Sequence, residues 1–451
     1  MPDPNLSPLV EALLADRGLS RDDAGGIPLE IDPRDEMLSF LLEINQGDRD
    51  RALFLYFLSG LSIADTLGEL LLWRFGGLDR VGSVLDFASG YGRVTRFLLR
   101  HLPPEKVWIS DIYDGAVEFQ RRRFGVHGLA SALRPEDFSC DERFDAILVT
   151  SLFTHLREDR FVGWLRRLGG LLNPGGLLVF SVHDQDVLSP GQTMPECGIL
   201  FEPASESTSL DTSDYGSAWV TEAFVRSALA EALRALPEAG FTVHRVPRGI
   251  ASFQDLYAVV LAGGERLADR PVLFGDSQVF VERCAFTAPD RLEMSGWAAA
   301  RGGSPPSEVQ IVLDGEVLAT APVDAPRPDV AAHLGDPGLR PGWKAGVPLP
   351  PGTSRSRAVL LLRTVDAQGR VRLAEAGSVD GLLLSAARRE SERLQRELWE
   401  TAAHLRNVEA HSRAEIEGLR ARLSAMEASR FWRARNAWFR AKRALGITEE
   451  A

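Results

Sequence analysis

Cysteine, positive charge and long apolar runs are all scarce in this chain, and each shortage removes a class of function. The three cysteines, Cys140, Cys197 and Cys284, lie far apart without any CxxC pairing, which argues against a disulfide framework and a zinc site. Sixty-three acidic residues against 51 basic ones leave a formal charge of −12, so non-specific nucleic-acid binding by the whole chain is excluded. No apolar run reads as approaching the roughly 20 residues that span a bilayer. The first residues, Met-Pro-Asp-Pro-Asn, lack the basic and apolar segments of a cleaved signal peptide, which makes a reducing cytoplasm the expected setting. No His/Cys/carboxylate cluster has ligand spacing, and no metal is expected.

What is present is a chain of 451 residues, 45% apolar and 25% charged, the composition of a soluble globular protein with two or three domains. Residues 1–79 carry helical apolar spacing at Met37, Leu38, Phe40, Leu41 and Leu42, and again from Ala52 to Leu72, where the segment is apolar enough for deep burial. Residues 80–265 alternate short apolar strands with amphipathic helices, the pattern of a parallel sheet covered on both faces. The strands expected are Ser83–Phe87, Lys106–Ser110, Phe144–Thr150, Gly176–Val182, Phe241–Val246 and Phe253–Leu261.

The character changes twice more. Residues 270–380 read as short alternating strands, with a hairpin signal at Asp314-Gly315, and suggest a small β-sandwich of about 100 residues. Residues 382–427 hold no proline and one glycine, with Leu398, Leu405, Leu419 and Met426 at sevenfold spacing and Ser412 in the missing repeat. Leu394, Ala402, Val408, Ile416 and Leu423 flank this row, which predicts a coiled coil with a stutter and a partner helix, most simply from a second copy. Residues 428–451 form a basic tail with Phe431, Trp432, Trp438, Phe439 and Leu445 set among arginines. Such a helix suits the headgroup layer of an anionic membrane, or a protein partner.

The chemistry concentrates at Val84-Leu-Asp-Phe-Ala-Ser-Gly-Tyr-Gly-Arg93, where an apolar strand ends in Asp86 and a turn of small residues leads into a helix. Gly90 and Gly92 let the main chain approach a ligand closely. Asp111, at the end of the next strand, can accept hydrogen bonds from ribose hydroxyls. The negative charge of Asp86 would repel a pyrophosphate and welcome a positively charged amino-acid moiety. Downstream come Phe144-Asp-Ala-Ile-Leu-Val-Thr-Ser and then Leu171-Leu-Asn-Pro-Gly-Gly-Leu-Leu-Val-Phe-Ser.

This succession, over residues 80–262, resembles the class I S-adenosylmethionine-dependent methyltransferases. The resemblance implies an α/β, Rossmann-like sheet of seven strands whose last runs antiparallel, with Phe241 to Ala262 supplying the closing hairpin. Carried over by position, Asp86, Ala88, Gly90 and Gly92 would form the methionine-side loop of an S-adenosylmethionine site. Asp111 would hold the ribose and Ile112 would pack on the adenine, with Asp137 and Phe138 nearby. Thr150 and Ser151 would lie under the sulfonium. Ala88 departs from the glycine usual there.

If the acceptor is a hydroxyl, His155 is the best placed general base, with His183 and Asp184 next. The polar insert 184–218, with Glu202, Glu206, Asp211, Asp214 and Tyr215, reads as a lid or acceptor-binding element, and Gln254 and Asp255 could also face the acceptor. The surroundings of Trp297, Arg327 and Trp343 resemble Ig-like modules of bacterial surface-polysaccharide enzymes. That second resemblance implies a glycan hydroxyl as acceptor, near the inner membrane face. A non-catalytic scaffold of a glycan-assembly complex and a small-molecule methyltransferase stay open as alternatives.

Overall fold

The computed structural model describes residues 7–19, 27–189, 191–204, 210–234, 240–251, 253–263, 273, 277–300 and 305–445. It divides into two units, Met1–Leu384 and Ser385–Ala451. The first begins with α1 (Pro8–Asp16), α2 (Glu36–Ile44) and α3 (Arg49–Phe75). Ser7, Asp35 and Asp48 cap the three helices by accepting from first-turn amides, and Gly76, at φ 72°, ends α3. By length and composition α3 could cross a membrane, but most of it is buried inside the protein and it carries Asp65 and Glu69.

A parallel sheet follows: β1 (Val84–Phe87), α4 (Thr95–Leu98), β2 (Val107–Asp111), α5 (Asp114–Phe124), β3 (His127–Ala130), β4 (Phe144–Val149), α6 (Glu158–Gly169) and β5 (Leu172–Asp184). The hairpin β6 (Ile199–Glu202) and β7 (Ser217–Val220) comes next, then α7 (Glu222–Leu233), β8 (Phe241–Ile250) and β9 (Gln254–Leu261). The order is β3-β2-β1-β4-β5, after which β9 lies antiparallel along β5 and β8 along β9. Without the β6–β7 hairpin, which extends the tip of β5, this is a seven-stranded sheet with one antiparallel strand. Alternation sets its two faces. Val84, Ala146 and Leu148 join a core under α1, α3 and α4, whereas Leu85, Phe87, Ile147 and Val149 pack with α6 and α7.

The strand β3 and the early start of β5 went unforeseen for local reasons. β3 is a four-residue edge strand, His-Gly-Leu-Ala, with no fully buried residue to signal it. The Asn173-Pro-Gly-Gly turn lies inside β5, as an irregularity with Gly175 at φ 73°.

The remaining strands form two antiparallel sheets. One holds β10 (Ser277–Ala288), β11 (Arg291–Ala300) and β14 (Gly342–Pro348); the other holds β13 (Glu316–Pro322), β12 (Pro306–Leu313), β15 (Val359–Asp366) and β16 (Val371–Ser378). Their facing side chains, among them Val281, Met294, Trp343, Ile311 and Leu362, share one core. The four-stranded sheet is buried on its other face too, where Val312, Val359, Leu361 and Leu373 join the core of the N-terminal helices. A short α8 (Pro328–His333) precedes β14.

Charges cross that second face. Arg372 on β16 pairs with Asp65 and, at 2.6 Å, with Glu69, while Arg17 and Arg100 reach Asp65 at 3.1 and 3.4 Å. Arg363 bonds Asp16, and Arg51 holds Glu375. The last elements are the 50-residue α9 (Val379–Ala428) and α10 (Arg430–Ala444). Ser429 separates them, extended at φ −63°, ψ 149°, and caps α10 by accepting from Trp432.

Candidate active site

In an open α/β sheet, ligands bind at the carboxyl ends of the strands where the order reverses, here around β1 and β4. A cleft lies there, lined by the β1 loop, the ends of β2 and β4, α2 and the insert. Asp86, Ala88, Gly90, Asp111, Ile112, Thr150, Ser151 and His155 all border it. Three residues assigned to it by position do not. Gly92 lies behind the loop, where a Cβ would stand 2.2 Å from the Phe124 ring, so its task is close packing on α5. Asp137 is exposed, and Phe138 is buried against Phe87 and Trp164. Ser131, Ala132 and Leu133 take their place in the wall.

The loop after β1 is held by side chains from α5. Gln120 donates to Ser89 Oγ and to the Gly90 carbonyl, both at 2.8 Å. Ala88 adopts φ 56°, a conformation costing an L-residue roughly 1 kcal/mol or more, at the position where glycine is usual. The Gly90 amide donates to Asp111 Oδ2 at 2.8 Å and the Tyr113 amide to Oδ1 at 3.0 Å. A carboxylate oxygen can accept two hydrogen bonds, so with the Ile112 amide also directed at this group Asp111 keeps one acceptor site for a hydroxyl. Burial raises the Asp111 pKa, against the lowering effect of those amides.

Asp86 is more exposed to electrostatic strain. Thr95 Oγ1 donates to its Oδ2 at 2.7 Å, whereas Oδ1 is buried with no hydrogen-bond partner. Burial pushes its pKa up to about 6, Thr95 and Arg93 acting in the opposite sense. A buried acceptor of this kind is costly unless a donor arrives. An ammonium would supply one.

The N-terminal helices supply a wall that sequence reading missed. Asp35 accepts from the Met37 amide at 2.9 Å through one oxygen and from the Tyr56 hydroxyl at 2.6 Å through the other. This link to α3 sets the start of α2, which presents Glu36, Met37 and Phe40 to the cleft. The capping pattern at Asp35 was the one available signal.

Beyond β4, Ser151 stands at φ 63°, its amide donating to Ser181 Oγ at 2.8 Å, and Ser181 in turn donates to Gln254 Oε1 at 2.7 Å. Gln254 therefore supports Ser151 and is not part of the cleft wall. The insert is laced onto the same loop: the Gly216 amide donates to the His155 carbonyl at 3.0 Å and the Ala218 amide to that of Thr154 at 2.7 Å. His155 Nδ1 lies 2.7 Å from the Gly216 carbonyl, and its ring stacks on Tyr215 at 4.3 Å. Donation from Nδ1 to that carbonyl leaves the lone pair on Nε2. Asp214, Tyr215 and Leu210 reach the cleft, where Arg160 pairs with Asp214 at 3.4 Å.

Other candidates lie elsewhere. His183 packs between Trp219 and Phe253, its pKa pushed down to about 4 chiefly by burial. Asp184 and Asp255 both grip Arg245, at 2.9 and 2.6 Å. Glu202 accepts from Gln192, Asp211 caps a turn at Ser213, and Glu206 lies outside the described residues. Among the described residues no cluster of His, Cys, Asp and Glu could hold a metal ion.

Residues 85–178, from β1 into β5, match the family model of a methyltransferase domain. This segment is similar to a methyltransferase domain. The chain is 26% identical over 133 residues to a malonyl-[acyl-carrier protein] O-methyltransferase of Acetivibrio thermocellus, covering 28% of this chain and 43% of that protein. It is 32% identical over 123 residues to an alpha N-terminal protein methyltransferase 1 of Oryza sativa subsp. indica, covering 25% and 40%. It thus spans less than half the length of these curated relatives. The crystal structure of DesVI from Streptomyces venezuelae aligns with 52% of this chain and all of its own at 16% identity, with a TM-score of 0.35. The cleft suits a ligand that carries an ammonium and a hydroxyl: Asp86 offers an unpaired buried acceptor and Asp111 a remaining acceptor site.

Proposed function

We propose that the chain is a cytoplasmic S-adenosylmethionine-dependent methyltransferase that methylates a hydroxyl of a surface glycan or its precursor. The observation that carries the catalytic half is the buried, unpartnered Oδ1 of Asp86 in the same cleft as Asp111. Asp86 would hold the ammonium of the donor, Asp111 its ribose, and Ile112 with Ser131–Leu133 its adenine. The bound donor supplies a methyl group on a positively charged sulfur. Alignment then provides much of the rate, and the loop from Thr150 to His155 meets the acceptor. His155, its Nδ1 proton directed to the Gly216 carbonyl, can take the acceptor's proton on Nε2. The insert, with Asp214 and Tyr215, supplies the other acceptor contacts.

The glycan reading rests on the paired antiparallel sheets, read as an Ig-like sandwich, and on α10. Phe431, Trp438 and Leu445 are exposed there among six basic residues, with no acid between 429 and 445, which suits an anionic inner membrane face. Incubation with labelled S-adenosylmethionine and a cell glycan fraction tests the acceptor; label confined to protein or small metabolites would overturn it. Removal of residues 429–451 should reduce binding to anionic vesicles, and unchanged binding would exclude the membrane role.

A further inference from the structure

A long row of apolar side chains on α9 is exposed. Leu394, Leu398, Leu405, Val408, Ile416, Leu419, Leu423 and Met426 are between 48% and 72% exposed. With Thr401 and Ser412 they follow one another at steps of 4, 3, 4, 3, 4, 4, 3, 4 and 3 residues, which is a heptad seam interrupted once by a stutter at Ser412. A helix whose apolar stripe stays in water gains little from packing, so the row needs a partner of the same length.

We propose that the partner is α9 of a second copy, lying parallel and in register. Two features of the row choose this orientation. In a parallel pair Thr401 meets Thr401 and Ser412 meets Ser412, so each hydroxyl faces another. An antiparallel pair of the same length sets Thr401 against Leu419 and Ser412 against Val408, a mismatch at both layers. The flanks agree. Glu415 and Arg422 precede the seam residues Ile416 and Leu423, while Arg420 and Glu427 follow Leu419 and Met426. In a parallel pair the residue before one layer meets the residue five positions later on the other helix, which gives Glu415 with Arg420 and Arg422 with Glu427, each twice by symmetry. The seam stops at Met426, just before the break at Ser429, so the two α10 helices start side by side.

Sedimentation of the full chain at micromolar concentration should give a dimer; a monomer or a trimer would overturn the proposal. With the exposed Cys197 replaced by serine, Leu419→Cys should link to itself under mild oxidation. If instead Leu419→Cys links only when mixed with Thr401→Cys, the pair is antiparallel and the register is wrong. Arg422→Glu should weaken dimerisation roughly tenfold and adding Glu427→Arg should restore it. Loss without rescue would contradict the pairing.

Discussion

Asp65 and Asp86 are both buried aspartates, and their surroundings treat them in opposite ways. Asp65, where α3 meets β16, has Arg372, Arg17 and Arg100 around it and His101 at 3.5 Å. Burial acts to raise its pKa, but His101 and the three guanidiniums outweigh burial and hold it down at about 2. Asp86 accepts from one hydroxyl, and burial takes it up to about 6 against Thr95 and the nearby Arg93. Where the fold uses a charge to join a helix to a sheet, it neutralises that charge. At the cleft it leaves the charge short of a partner.

The largest break in this comparison comes from Asp65→Ala, which takes the shared carboxylate from Arg372, Arg17 and Arg100 and leaves Arg372 with Glu69 alone. Stability should fall by about 3–5 kcal/mol in a denaturant titration; a loss below about 1 kcal/mol would mean that the cluster is not structural. The pH dependence of the ligand-free protein should separate the two acids. A raised folded pKa means the folded state holds its proton more tightly, so Asp86 adds stability as pH falls from about 6 toward about 4, by up to about 3 kcal/mol. Asp65 does the reverse: its contribution is complete above about pH 4 and is lost as pH falls toward 2. Melting curves from pH 7 to 4.5 should rise for the native chain and stay flatter for Asp86→Asn.

Next in size, Asp86→Asn should cost about 2 kcal/mol, some thirtyfold, in S-adenosylhomocysteine affinity by calorimetry, while the fold is kept. Equal affinity would show that the unpartnered oxygen does not meet the ligand. The smallest change is expected at Arg51, which bonds Glu375 in the same seam but is more exposed than Arg372. Arg51→Ala should cost about 1 kcal/mol or less. A cost equal to that of Asp65→Ala would mean that burial does not set the scale.

The sheet order was legible because each of its central strands announces itself locally. Val84 to Phe87 is an unbroken buried run, Phe144 to Val149 is interrupted only at the half-buried Asp145, and the loop at Asp86 has its own glycines. The α2 wall was not legible, since Glu36 and Phe40 reach the cleft only through the bond between Asp35 and Tyr56. Nor was the position of Asp137 and Phe138. Pro135 packs beneath Gly163, whose Cβ would lie 2.8 Å from the proline ring, and that turn carries Phe138 into the core. The insert could be suspected from its length, but its strapping to Thr154 and His155 is made by backbone groups that sequence does not distinguish.

The pairing of Arg372 with Asp65 and Glu69 also bears on synthesis. It joins residues about three hundred positions apart, so the anchor under α3 cannot form until most of the chain has left the ribosome. The bond by which α3 holds Asp35 through Tyr56 joins residues only 21 positions apart and needs no such wait. The wall of the cleft can therefore be in place before the anchor that ties α3 to the second pair of sheets.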